Sequence, residues 1–107
     1  MISTHILDTS VGNPAAEVSV DLFINQDGED KLIESSKTDS DGRIKFNCPK
    51  SAGNYKLIFY IEEYYQRQGV DHFFTNAPVS FKISNIERNY HVPLLVNPFG
   101  YSTYRGS

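Results

Sequence analysis

Apolar and polar residues alternate with period two along most of this chain. Val18, Val20, Leu22 and Ile24 fall on one side of such a run while Ser19 and Asp21 fall on the other; Val79, Phe81 and Ile83 alternate in the same way with Ser80, Lys82 and Ser84. Successive side chains of a strand point to opposite faces, so this spacing builds half-buried β-strands and not helices. Turn-forming clusters punctuate the runs, among them Ser10-Val11-Gly12-Asn13-Pro14, Asn25-Gln26-Asp27-Gly28 and Asp39-Ser40-Asp41-Gly42. Strands are expected around Thr4 to Thr9, Val18 to Ile24, Lys31 to Thr38, Arg43 to Phe46, Tyr55 to Ile61, Val79 to Ile83, Tyr90 to Val96 and Tyr101 to Gly106. The run from Tyr55 is apolar on nearly both faces, as a central strand requires. One short helix is expected over Glu62 to Gln68, with paired acids in its first turn and Gly69 as its stop. About eight short strands at close spacing imply an all-β fold, a two-sheet β-sandwich.

With 107 residues, of which 39% are hydrophobic, the chain can fill one core but not two, so residues 1–107 are expected to form a single domain. The net charge is -3 and no block of like charges occurs, which argues against nucleic acid or a membrane surface as partner. No stretch approaches the roughly 20 apolar residues of a membrane span. The opening Met-Ile-Ser-Thr-His runs straight into a strand pattern with no leader-like composition, so the expected compartment is the cytosol, with the peroxisome as alternative. Cys48 is the one cysteine, which precludes an internal disulfide and fits a reducing compartment. It is expected to be a semi-buried strand-end residue without a reactive role.

Chemistry near neutral pH falls to three histidines and a few arginines. His5 shares strand parity with Leu7, and His91 with Pro93 and Leu95, so both imidazoles stand on rigid strands, although a lone strand histidine is by default a hydrogen-bonded structural residue. Arg43 follows Asp41-Gly42 at a strand start, where its guanidinium can fork onto a carboxylate or an oxyanion; an exposed strand-end charge is the plain alternative. His72, beside Asp71 after the helix, reads as a solvated loop residue outside any site. The final Tyr101-Ser102-Thr103-Tyr104-Arg105-Gly106-Ser107 reads as a strand continuing to the last residue, which suggests a site or interface there, or a plain edge strand. No metal-ligand spacing, phosphate loop or nucleophile elbow is found, so neither metal nor cofactor is expected.

The stretch His5-Ile6-Leu7-Asp8-Thr9-Ser10-Val11-Gly12-Asn13-Pro14-Ala15-Ala16 resembles the N-terminal strand and turn of the transthyretin-like family. Tyr90-His91-Val92-Pro93-Leu94-Leu95 followed by Pro98-Phe99-Gly100-Tyr101-Ser102-Thr103-Tyr104-Arg105-Gly106-Ser107 is similar to the C-terminal signature of its 5-hydroxyisourate hydrolases, and the resemblance spans essentially the whole chain. It implies a transthyretin-like (prealbumin-like) sandwich that hydrolyses 5-hydroxyisourate in urate degradation without a cofactor. It also implies a homotetramer, a dimer of dimers with its sites in a channel between dimers. Carried over residue by residue, the resemblance makes His5, Arg43 and His91 catalytic and has them share substrate binding with Tyr104, Arg105, Gly106 and Ser107. Asn89 and Asn97 depart from the histidine and serine usual at those positions, which bears on substrate fit more than on reaction class. A transthyretin-like carrier of a small aromatic ligand, or an accessory β-sandwich, is the alternative reading; His5, Arg43 and His91 argue against the carrier.

Overall fold

Strand β1 (Ile2–Asp8) carries the alternation of its sequence into three dimensions, with Ile2, Thr4, Ile6 and Asp8 buried and Ser3, His5 and Leu7 half-buried on the opposite face. The computed structural model describes residues 1–47 and 51–106, so Cys48 and Ser107 and the expectations attached to them lie outside the described residues. β1 is flanked on one edge by β2 (Asn13–Pro14) and β5 (Arg43–Phe46), both antiparallel to it. On the other edge β8 (Tyr90–His91) and β9 (Leu94–Asn97) run parallel to it, and β10 (Gly100–Thr103) pairs antiparallel with β9. The second sheet is antiparallel throughout, in the order β4 (Glu29–Lys37), β3 (Ser19–Gln26), β6 (Gly53–Phe59), β7 (Ala77–Ile83). The two inner faces enclose an apolar core that includes Ile6, Val20, Leu22, Leu57, Phe59 and Leu94, each at most 1% exposed. Full burial of a side chain of this size contributes about 1.5–3 kcal/mol.

The expected all-β sandwich with one short helix is the observed architecture, with strand boundaries adjusted by specific contacts. The long run from Tyr90 splits into β8 and β9 because buried Pro93 has no N–H to continue the ladder. Central β6 stops at Phe59, since Ile61 turns into the helix α1 (Ile61–Gln68) and is buried there with Tyr64 and Tyr65. The Glu62 N–H, one of the donors that a helix start leaves unpaired, donates to the Thr75 carbonyl at 3.0 Å. At the C-terminal end the Gly69 N–H closes onto the Gln66 carbonyl. The strand expected from Tyr101 to Gly106 stops at Thr103, and Gly106 returns as an isolated bridge to His91. None of the described helices is long and apolar enough to cross a membrane.

α1 is tied to the end of β1 through buried Asp8, which is 1% exposed. Its carboxylate accepts from the Tyr64 hydroxyl at 2.9 Å, from the Ser10 hydroxyl at 2.5 Å and from the Ser10 N–H at 3.0 Å. A carboxylate this far from water needs such donors, and here it has three. The neighbouring Tyr65 hydroxyl is buried with no partner among the described residues, and burial, helped by the Asp8 charge, pushes its pKa up.

His72 departs from its reading as a solvated residue. Its side chain is 15% exposed and stacks on the Tyr65 ring, 6.1 Å between centroids. Nδ1 lies 3.0 Å from the Val70 carbonyl and Nε2 3.1 Å from a Glu62 carboxylate oxygen. Two acceptors on one ring favour the imidazolium, and the Val70 carbonyl and then the Glu62 carboxylate raise its pKa.

Gly42 sits where β5 approaches β1. Its φ is +74°, its carbonyl accepts from the Ile6 N–H at 2.8 Å, and a Cβ there would come within 2.6 Å of the Ile6 carbonyl oxygen. Positive φ and backbone contact both oppose a side chain. Gly42→Ala should therefore destabilise the fold by about 2 kcal/mol, read as a lowered urea midpoint at unchanged slope. An unchanged midpoint would show that the approach is not tight.

Candidate functional site

The outward face of the β1 sheet collects the ionisable residues. In the antiparallel pairing His5 stands directly opposite Arg43 and Ser3 opposite Lys45; in the parallel pairing on the other edge Ser3 stands beside His91. Side chains at directly opposed positions are about 4.5–5.5 Å apart at Cβ, close enough for His5 and Arg43 to act on one small molecule. A shallow hollow of about 260 Å³ opens here, lined by Ser3, Arg43, Lys45, Asn89 and His91, with His5 at its border beside Arg43.

Arg43 is fixed through its backbone. The Asp39 carboxylate accepts from the Asp41 N–H at 2.9 Å and the Arg43 N–H at 3.0 Å, and the Arg43 carbonyl accepts from the Asp39 N–H at 3.1 Å. The Arg43 N–H foremost, together with the nearby Arg43 and His5 charges, holds the Asp39 carboxyl below the usual range. Among the described residues the Arg43 guanidinium has no salt bridge, so its fork is available to a ligand.

His91 is held on two sides. Its Nδ1 lies 2.8 Å from the Ser3 hydroxyl, and the Gly106 N–H donates to its carbonyl at 2.8 Å. A Cβ on Gly106 would come within 2.5 Å of His91 Cδ2 and 3.3 Å of Pro93 Cγ, so the chain can lie against this imidazole only as glycine. Burial is the first cause pushing the His91 pKa below the ordinary value, followed by the Arg43 and His5 charges; hydrogen bonding to Ser3 pulls the other way. The ring is therefore neutral at neutral pH.

Of the residues singled out in the sequence, His5, Arg43, His91 and Gly106 come together around this hollow. Tyr104 and Arg105 line a second concavity of about 230 Å³, with Val79 and Phe81 of β7 and with Tyr90 and Val92. There the Arg105 guanidinium lies 4.7 Å above the Tyr90 ring. Asn89 lines the first hollow, whereas the Asn97 carboxamide caps a turn by accepting from the Phe99 N–H at 2.9 Å. Ser3 and Lys45 escaped the sequence reading. Their signal was parity, two positions before His5 and two after Arg43.

The chain matches the HIUase/Transthyretin family over residues 2–106 and belongs to that family. It is 44% identical over 110 residues to the 5-hydroxyisourate hydrolase of Salmonella dublin, an alignment that takes in the whole chain and 81% of that protein. Among solved structures it resembles the 5-hydroxyisourate hydrolase of Klebsiella pneumoniae, at 39% identity and a TM-score of 0.85, over 99% of this chain and 92% of that one. It also resembles sea bream transthyretin in complex with thyroxine, at 30% identity and a TM-score of 0.91, over 98% and 93% of the two chains. The sandwich is thus a transthyretin-like one.

The electrostatics of the hollow yield a direct measurement. In a histidine NMR titration His91 should titrate below the ordinary histidine value, and Arg43→Ala, by removing a like charge, should move it upward. A His91 titration unaffected by loss of Arg43 would separate the two side chains.

Proposed function

We propose that this chain hydrolyses 5-hydroxyisourate to 2-oxo-4-hydroxy-4-carboxy-5-ureidoimidazoline, the ring-opening step of urate degradation. The observation that carries this reading is the grouping on one sheet face of neutral His91, His5 and the Arg43 fork, which has no salt bridge among the described residues. Relatives named for this activity, matched over nearly the whole chain, support it.

The substrate is a flat, polar, oxidised purine with an amide in its six-membered ring. His91, neutral at working pH, takes a proton from water as the water oxygen attacks the ring carbonyl, and His5 helps to orient that water. Arg43 holds the substrate and stabilises the oxyanion that develops on the carbonyl oxygen. When the carbon–nitrogen bond breaks, the proton held on His91 passes to the departing ring nitrogen, and the carboxylic acid formed at the carbonyl carbon releases its remaining proton to solvent and becomes a carboxylate. Gly106 lets the chain close against His91, while Tyr104 and Arg105, which line a separate concavity, would serve substrate binding from a neighbouring protomer. No step requires a cofactor.

We further propose that residues 1–107 act as one domain within a homotetramer, a dimer of dimers with its sites in a channel between dimers. Two observations support this. The hollow is open in one protomer, and Leu7 and Leu95 lie half-buried on the same outward face, which a symmetric partner would cover. Tyr104 and Arg105, set apart from His91 in their own protomer, would then be free to serve an interface. The lone cysteine fits a cytosolic setting. The rival reading, a carrier of a small aromatic ligand, has the sea bream transthyretin likeness in its favour, but three ionisable groups on one face suit a reaction better than retention of an apolar ring.

Added to freshly oxidised urate, the protein should speed the decay of the intermediate's ultraviolet absorbance, equally well with a chelator present. His5→Asn and His91→Asn should each lower turnover by at least about 100-fold while circular dichroism stays native. Unchanged decay at micromolar protein would remove the proposal; near-normal rates in both variants would remove the assignment. Light scattering should give a tetramer, and full activity from a strict monomer would rule out the channel.

A further inference from the structure

We propose that Ser3 is a positioning residue for His91, holding the imidazole as its Nδ1–H tautomer so that the Nε2 lone pair is the one presented to the hollow. This rests on the reading of His91 as the base.

The argument starts from register. Ser3 and His91 are directly paired across the parallel β1 and β8 ladder, and both are half-buried on the outward face. Ser3 holds this stretch twice: its carbonyl accepts from the Val92 N–H at 2.9 Å, and its hydroxyl lies 2.8 Å from His91 Nδ1. Gly106 lies against the opposite, Cδ2 edge of the ring. With the Nδ1 edge on Ser3 and the Cδ2 edge on Gly106, the tip of the ring carrying Nε2 is left, and Nε2 has no hydrogen-bond partner among the described residues.

A neutral imidazole has one N–H and one lone pair, and the bond made at one nitrogen decides what the other can do. If Nδ1 accepted the Ser3 hydroxyl proton, Nε2 would carry the hydrogen and could not take one from water. The reading of His91 as the base requires the other arrangement, with the hydrogen on Nδ1, within reach of the Ser3 hydroxyl oxygen, and the lone pair on Nε2. The hydroxyl oxygen accepts the same proton and turns its own hydrogen outward.

Among the described residues, the charged and titratable groups that act on the ring are His5 from β1 and Arg43 from β5, and Lys45 of β5 and the N-terminal Met1 line the same hollow. No carboxylate pairs with His91 among the described residues. A carboxylate at the position of Ser3 would also orient the ring, but it would raise the histidine pKa and cost the base its lone pair at neutral pH. A neutral hydroxyl orients without charging. Removing it leaves the ladder whole, because the bond to Val92 uses the Ser3 backbone.

The test compares Ser3→Ala, Ser3→Thr and His91→Asn in the full chain. Ser3→Ala should move the His91 ring ¹⁵N signals away from the Nδ1–H pattern and shift the acid limb of the pH–rate profile to lower pH, since the protonated ring loses an acceptor. Its kcat should fall about tenfold, the scale of one neutral hydrogen bond, with KM within about twofold. Ser3→Thr keeps the hydroxyl and should restore both tautomer and kcat. Ring signals and kcat that stay at wild-type values in Ser3→Ala overturn the inference, as does a Ser3→Thr variant impaired as much as Ser3→Ala. His91→Asn separates the two readings: if it stays fully active, His91 is not the base, and the inference about presenting that base falls with it whatever the ring signals show. If it is inactive while Ser3→Ala is normal, only the role of Ser3 is lost.

Discussion

β1 is hydrogen-bonded along both edges, antiparallel to β5 and β2 on one side and parallel to β8 and β9 on the other, and both the core and the candidate site depend on that double ladder. The inner residues Ile2 and Ile6 are fully buried, while the outer residues Ser3 and His5 meet Lys45, Arg43 and His91. A slip of one residue would exchange the two faces, sending His5 into the core and Ile6 into water. The burial that holds the sandwich together thereby also fixes which side chains share the outer hollow.

β1 is secured at two points by different means. Near Arg43 the backbone passes so close to Ile6 that Gly42 leaves no room for a Cβ, and Asp39 grips the Arg43 and Asp41 N–H groups. Two residues beyond Ile6, Asp8 is buried and receives donors from Ser10 and Tyr64, which draws α1 onto the sheet edge. A strand that cannot drift leaves the His5 and Arg43 pair little freedom, as a preorganised site requires.

The charge around the hollow is arranged in one direction. Among the described residues, Arg43 and Lys45 supply positive charge without a carboxylate in the hollow wall, and burial with the Arg43 charge pushes the His91 pKa down. An arginine that repels a proton from a neighbouring histidine also attracts an anionic or electron-rich planar substrate. One placement of Arg43 therefore both disfavours a proton on His91 and presents positive charge to the hollow.

Local order was legible in the residues alone. Period two gave the strands, paired acids before Gly69 gave α1, and parity put His5 on one face with Leu7. Each follows from the geometry of a single strand or helical turn. The split at Pro93 was legible in principle too, since proline has no N–H to donate. Pairing was another matter: the meeting of His5 with Arg43 and of Ser3 with His91 joins positions up to 88 residues apart, and nothing local encodes which strand lies beside which or in what register. The same holds for His72, which reaches Glu62 in the first turn of α1 only because the chain folds back after Gly69, and for Tyr104 and Arg105, which left Gly106 to reach His91 alone. The sequence by itself determined the faces of the strands, because side-chain alternation is a property of the extended chain. Only the tertiary structure decided the neighbours across those faces, because they are set by long-range hydrogen-bond ladders and shared burial.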